Sequence, residues 1–130
     1  MYKKIIAVAV FLGALAVVAH EGHDDAPGTL KANHGGVVKA GKDINLEYVV
    51  KGDHVELYPV SHEGKDLAPA DIKLTAKAKL PKGKAEPIKL DVKGGMYLAK
   101  ADFKGAYRIE FNVVADNKGK QSTFKFQVEK

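Results

Sequence analysis

From residue 34 to the end of the chain, apolar and polar residues alternate along short segments. This pattern is typical of β-strands that bury one face and expose the other. The clearest segment spans residues 72–80, where every second residue is apolar. Most of the intervening residues are lysines, so the pattern predicts a solvent-facing row on this strand formed by Lys73, Lys77 and Lys79.

Six further segments show similar alternation and are separated by turns rich in glycine, proline, asparagine or aspartate: 44–48, 55–58, 88–92, 96–103, 107–113 and 124–128. Together they predict an all-β chain with seven or eight short strands. We expect a single antiparallel β-sandwich of immunoglobulin-like architecture over residues 34–130, with a small closed barrel as the alternative. Three glutamates at outward strand positions are expected to be solvated: Glu47, Glu56 and Glu110.

The first 19 residues differ sharply from the rest of the chain. Lys3 and Lys4 precede an uncharged apolar run over residues 5–19. That run is shorter than the stretch of about 20 residues that spans a bilayer, so residues 1–19 are predicted to be a secretory signal peptide. A membrane anchor is the alternative. Cleavage after Ala19 or after Ala16 would leave a periplasmic or secreted protein without a membrane-inserted segment.

Residues 20–33 have no apolar periodicity and contain two histidines, three acidic residues, one proline and two glycines. This composition predicts a flexible tail between the signal peptide and the sandwich.

The amino-acid composition excludes several kinds of site and partner. Cysteine is absent, which excludes disulfides, thiolate nucleophiles and cysteine-based metal sites. The 21 basic residues outnumber the 16 acidic ones, but Arg108 is the only arginine. Because nucleic-acid recognition relies heavily on arginine, no nucleic-acid partner is expected. The two serines, Ser61 and Ser122, lie in no catalytic motif, and no enzymatic activity is predicted.

The histidines supply the candidate site chemistry. His20 and His23 lie in the tail beside carboxylates, His34 precedes two glycines, and His62 lies in the loop after the first predicted hairpin. Imidazole nitrogens are ligands that copper and zinc prefer. Cleavage after Ala19 would also give His20 a free α-amine that chelates copper with its own side chain. The sequence therefore predicts a metal site drawn from His20, His23, His34 and His62.

Parts of the chain resemble known families. The signal peptide, HEGHDD at 20–25, HGG at 34–36 and SHEGKDL at 61–67 resemble small periplasmic proteins associated with heavy-metal efflux and copper resistance. Residues 94–97 and 103–109 are similar to YtkA-like and FixH-like sandwich domains. The resemblance implies transition-metal handling on an immunoglobulin-like scaffold without catalysis. Copper-resistance sandwiches often carry methionine-rich runs, whereas this chain has two methionines, which favours Cu(II) or zinc over Cu(I).

These features predict a periplasmic or secreted protein that binds copper or zinc and buffers it or delivers it to an efflux or assembly partner. One alternative is a structural or protein-interaction domain of the cell envelope, in which strand edges or the lysine row contact a partner. A second alternative is a copper oxidase built on an N-terminal His20.

Overall fold

The computed structural model describes residues 30–130, which form β-strands and no helix. The predicted signal peptide and most of the predicted tail lie outside these residues. Within them, no helix is long and apolar enough to cross a membrane. The strands are β1 (Val37–Lys39), β2 (Asn45–Lys51), β3 (His54–Val60), β4 (Lys73–Lys79), β5 (Glu86–Ile88), β6 (Leu90–Lys93), β7 (Met96–Lys100), β8 (Arg108–Asn117) and β9 (Lys120–Glu129).

The strands form two antiparallel sheets with the orders β1-β2-β3-β7-β6 and β5-β4-β8-β9. The order β2-β3-β7-β6 matches strands A, B, E and D of an immunoglobulin domain, and β4-β8-β9 matches strands C, F and G. Strand β5 takes the position of the added C′ strand, and β1 extends the first sheet at its edge. The predicted all-β sandwich is therefore confirmed, and the closed barrel is not formed.

The structure has nine strands rather than seven or eight. The segment 88–92, predicted as one strand, divides at Lys89 between β5, which pairs with β4, and β6, which pairs with β7. The chain crosses from one sheet to the other at this point. The alternation of apolar and polar residues continues through the crossing, so it could not reveal the break.

The core lies between the two sheets and consists of the inward-facing residues that the alternation predicted. On β4, the alternate residues Lys73, Lys77 and Lys79 are exposed, as expected. Tyr48 of β2 stacks on Phe126 of β9 with ring centroids 3.8 Å apart and planes 7° apart, so this aromatic pair joins the two sheets. Burial raises the pKa of Tyr48 above its ordinary value.

Two buried hydroxyl groups form hydrogen bonds that hold loops against the strands. The Tyr97 hydroxyl lies 2.6 Å from the carbonyl oxygen of Ile72 and joins β7 to the start of β4. The Ser122 Oγ atom accepts hydrogen bonds from the backbone N–H groups of Asp43 and Ile44, at 2.8 and 3.3 Å. Ser122 is 2% exposed, so these donors are satisfied by protein rather than by water.

Replacing Ser122 with alanine should lower the free energy of unfolding by about 1–3 kcal/mol, because two backbone donors lose their acceptor. Urea unfolding followed by circular dichroism would measure the change. The control is Thr123→Ala, which removes an exposed hydroxyl from the next position of β9. Equal stability of the two variants would show that the Ser122 hydroxyl does not hold this loop.

Candidate functional site

The most unusual side chain of the described structure is Glu47, which is 0% exposed although it lies on the outer face of the first sheet. The prediction that Glu47 is solvated was therefore wrong. Residues 33–36 fold over the sheet at this point and cover the carboxylate. Alternation places a residue on the outer face of a strand, but it does not report whether another segment covers that face.

Backbone N–H groups surround the Glu47 carboxylate. Oε1 accepts a hydrogen bond from the N–H of Asn33 at 3.0 Å, and Oε2 accepts from His34 at 2.9 Å and from Gly36 at 2.8 Å. Within residues 30–130, no lysine or arginine forms an ion pair with Glu47. The hydrogen bonds therefore stabilise a buried charge that would otherwise be costly to remove from water.

Gly36 allows this close approach. A Cβ atom at Gly36 would lie 2.2 Å from the carbonyl oxygen of Tyr48 and 2.7 Å from Cγ2 of Val49. Any side chain here would push the 33–36 segment away from β2, and the N–H group of Gly36 would lose contact with Glu47. The glycines after His34 were the single sequence signal that marked this location.

The Glu47 contacts fix the position of His34. Its ring stacks on Tyr58 of β3, with centroids 3.7 Å apart and planes 11° apart. Its Nε2 atom lies 2.7 Å from Oδ2 of Asp66, and the two side chains are 30% and 45% exposed. Asn33 donates from Nδ2 to the carbonyl oxygen of Gly64 at 2.8 Å and so ties the segment to the β3–β4 loop. We call Asn33, His34, Glu47, Tyr58 and Asp66 the His34 site.

Negative charge is concentrated at the His34 site. Burial, a hydrogen bond to Glu56 and the negative charges of Glu56, Glu47 and Asp66 together raise the pKa of Tyr58 to about 12. The Tyr58 hydroxyl donates to Oε1 of Glu56 at 3.0 Å. Asp66 contacts the imidazole, Glu56 contacts the phenol, and the charge of Glu47 also acts on the phenol, so negative charge is concentrated beside the stacked rings.

The other predicted ligands are not brought together in the described residues. The Nε2 atom of His62 lies 3.1 Å from the carbonyl oxygen of Gly41, so its contact is with the backbone that precedes β2. Within residues 30–130, no group of three or more histidine, aspartate or glutamate side chains is arranged to hold a metal ion. His20 and His23 lie outside the described residues.

Sequence reasoning found His34 but missed its partners Glu47, Tyr58 and Asp66. Tyr58 and Glu47 are opposite one another in the β2–β3 pairing, which becomes known only once the strand register is fixed. Asp66 reaches the site because the loop folds back, with a bridge between Asp66 and Val60. No spacing rule connects these residues to His34.

Comparisons with known proteins give evidence about the fold but not about the chemistry of the His34 site. No family model matches the chain, and no curated protein matches it in sequence. Among solved structures, the chain is similar to a DUF4426 family protein from Pseudomonas aeruginosa PAO1, with a TM-score of 0.57 and 22% sequence identity over 72% of this chain and 96% of that chain. This similarity shows a shared β-rich fold.

Replacing Glu47 with glutamine should lower the free energy of unfolding by about 2–3 kcal/mol, because backbone donors lose a charged acceptor and one of them faces an amide N–H₂ group. Amide hydrogen exchange at Asn33, His34 and Gly36 should accelerate. The control is Glu110→Gln on the outer face of the second sheet, which should change stability by less than about 0.5 kcal/mol. Unchanged exchange at these amides would contradict the role given to Glu47.

Tyr58 should make the protein lose stability as the pH rises from about 10 to about 12. The folded state keeps the phenol protonated to about pH 12, whereas the unfolded chain releases the proton near pH 10. Tyr58→Phe should flatten the decline in unfolding temperature over this interval and remove the highest-pH step of a phenolate absorbance titration. Tyr107→Phe, which changes a 62% exposed ring, should retain both features.

Proposed function

We propose that the protein binds a divalent transition-metal ion, Cu(II) or Zn(II), in the cell envelope or outside the cell, and buffers it or passes it to an efflux or assembly partner. The observation that carries this proposal is the pairing of His34 with Asp66. An imidazole nitrogen and a carboxylate oxygen lie 2.7 Å apart in a partly exposed position. Both atoms are good ligands for these metals.

The surroundings of His34 suit a cation. The stack on Tyr58 and the backbone contacts with Glu47 hold the histidine in place before any ligand arrives. The carboxylates of Glu47, Glu56 and Asp66 add negative charge around it. Because His34 is already held in position, its side chain loses little entropy when an ion binds. The negative charge attracts divalent ions.

Two fixed ligands are fewer than the three or four that hold zinc or copper firmly. We infer that His20 and His23 supply the others, because His23 precedes His34 by 11 residues. An extended chain covers about 3.3–3.6 Å per residue, so a tether of this length can reach the His34 site. A ligand on a short tether acts at an effective concentration in the millimolar range, which makes recruitment favourable.

Isothermal titration with Cu(II) and Zn(II) at about pH 7.5 tests the proposal. We expect one ion per protein, bound with a dissociation constant below about 1 µM. His34→Ala and deletion of residues 20–25 should each weaken binding at least about tenfold, because each removes part of the ligand set. Binding should also weaken as the pH falls through about 6.5, where free imidazole becomes protonated and stops coordinating.

His62→Ala is the matched control, since it removes an exposed imidazole whose contact is with the Gly41 carbonyl. It should bind metal like the unaltered protein. Loss of binding on deletion of residues 20–25 alone, with His34→Ala unaffected, would place the site wholly in the tail. No binding by any form would contradict metal handling.

The sequence motifs that resemble YtkA-like and FixH-like domains suggested this proposal, and no family model matches the chain. A second candidate function is a non-catalytic interaction domain of the envelope, favoured by the exposure of Lys73, Lys77 and Lys79 along one face of β4. Such a surface would bind an anionic partner in a salt-sensitive manner and would show no specific metal affinity.

A further inference from the structure

The end of the sandwich opposite the His34 site contains a cleft that the proposed metal function does not use. On strand β3, His54 pairs with Lys100 of β7, whereas Tyr58 lies at the His34 site. A strand rises about 3.3 Å per residue, so the two regions occupy different ends of the same sheet. The cleft has a volume of about 320 Å³ and lies among β4, β5, the end of β7 and the start of β8.

The cleft forms because the first sheet does not cover the whole inner face of the second sheet. Strand β6, the edge strand of the first sheet, has four residues and pairs only with residues 96–99 of β7. The inner face of the second sheet is therefore left accessible near the end of β4. Its apolar lining consists of Ala78, Leu80, Pro87, Ile88 and Ile109.

The rim of the cleft carries three lysines against two acidic residues, an excess of one positive charge. It carries Lys84, Lys100 and Lys104, and within residues 30–130 none of these side chains forms an ion pair. The acidic residues of the lining are Glu86 and Asp102. Asp102 already accepts a hydrogen bond from the backbone N–H of Lys104 at 3.2 Å. The lysines are thus available to an incoming negative charge.

A second hollow of about 420 Å³ shares Leu80, Gly83 and Lys104 with the cleft and continues it between two loops. Tyr107 lines this hollow and is 62% exposed. The Arg108 guanidinium lies 5.3 Å from the centre of the Tyr107 ring, which adds a positive charge beside an exposed apolar surface. Both volumes fall within the range of small-molecule sites, about 300–1,000 Å³.

We propose that this end of the sandwich binds a small amphiphilic anion, with its hydrocarbon part against the apolar lining and its negative group at the lysine rim. The apolar lining would bury a chain, and the basic rim would select an anionic head group. The occupant belongs to the class of linear alkyl carboxylates and similar anions.

Octanoate titrated into the isotopically labelled protein, followed by NMR, tests this assignment. We expect saturable shifts of amides lining the cleft, with a dissociation constant of about 1 mM for so small a ligand. Acetate, which has the charge without the chain, and octyl glucoside, which has the chain without the charge, should each bind at least about fivefold more weakly.

The variant Lys100→Glu/Lys104→Glu should weaken octanoate binding about tenfold, because it reverses two charges at the rim. The matched control, Lys118→Glu/Lys120→Glu, makes the same change of charge at the exposed turn between β8 and β9, outside the lining of the cleft, and should leave binding unaltered. Equal affinity of the two variants, shifts scattered over the surface, or octyl glucoside binding as tightly as octanoate would each overturn the proposal. These outcomes are independent of metal binding at His34.

Discussion

The covering of Glu47 by the backbone of residues 33–36 is the interaction on which the His34 site depends. A buried carboxylate without hydrogen bonds is strongly unfavourable. Here the backbone N–H groups of Asn33, His34 and Gly36 donate hydrogen bonds to the Glu47 carboxylate. These hydrogen bonds fix the conformation of residues 33–36. The position of His34 over Tyr58 follows from this arrangement. The buried charge therefore determines where the imidazole lies, although Glu47 itself has no exposed surface with which to meet a ligand.

The two ends of the sandwich have opposite electrostatic character. Asp66 pairs with His34 and the carboxylates of Glu47 and Glu56 act on the adjacent Tyr58, whereas lysines border the cleft at the other end. Regions of opposite charge at different places on one small protein attract ligands of opposite sign to different places. The formal net charge of +5 conceals this separation. An average over the chain would suggest general affinity for anions, although negative charge is concentrated at the His34 site.

Sequence reasoning predicted the features that depend on local pattern. Alternation identified the sandwich and the exposed row of Lys73, Lys77 and Lys79, because a strand with one buried face imposes a period of two. It could not detect the sheet change at Lys89, where the period is unbroken. It also could not identify Glu47 or Asp66 as partners of His34, because their contacts arise from strand register and loop folding between residues distant in sequence.

A site of the proposed kind, with two fixed ligands and further ligands on a tether, has consequences for the exchange of metal. A rigid set of four ligands releases its ion slowly, since all contacts must break together. Tethered ligands can dissociate one at a time, and each vacant position is then open to a ligand from another protein. A ligand set of this kind would keep its affinity when no partner is near and would still pass the ion on by stepwise ligand exchange. Such an arrangement suits transfer of an ion better than long-term storage, and the partly exposed position of His34 and Asp66 allows a partner to reach it.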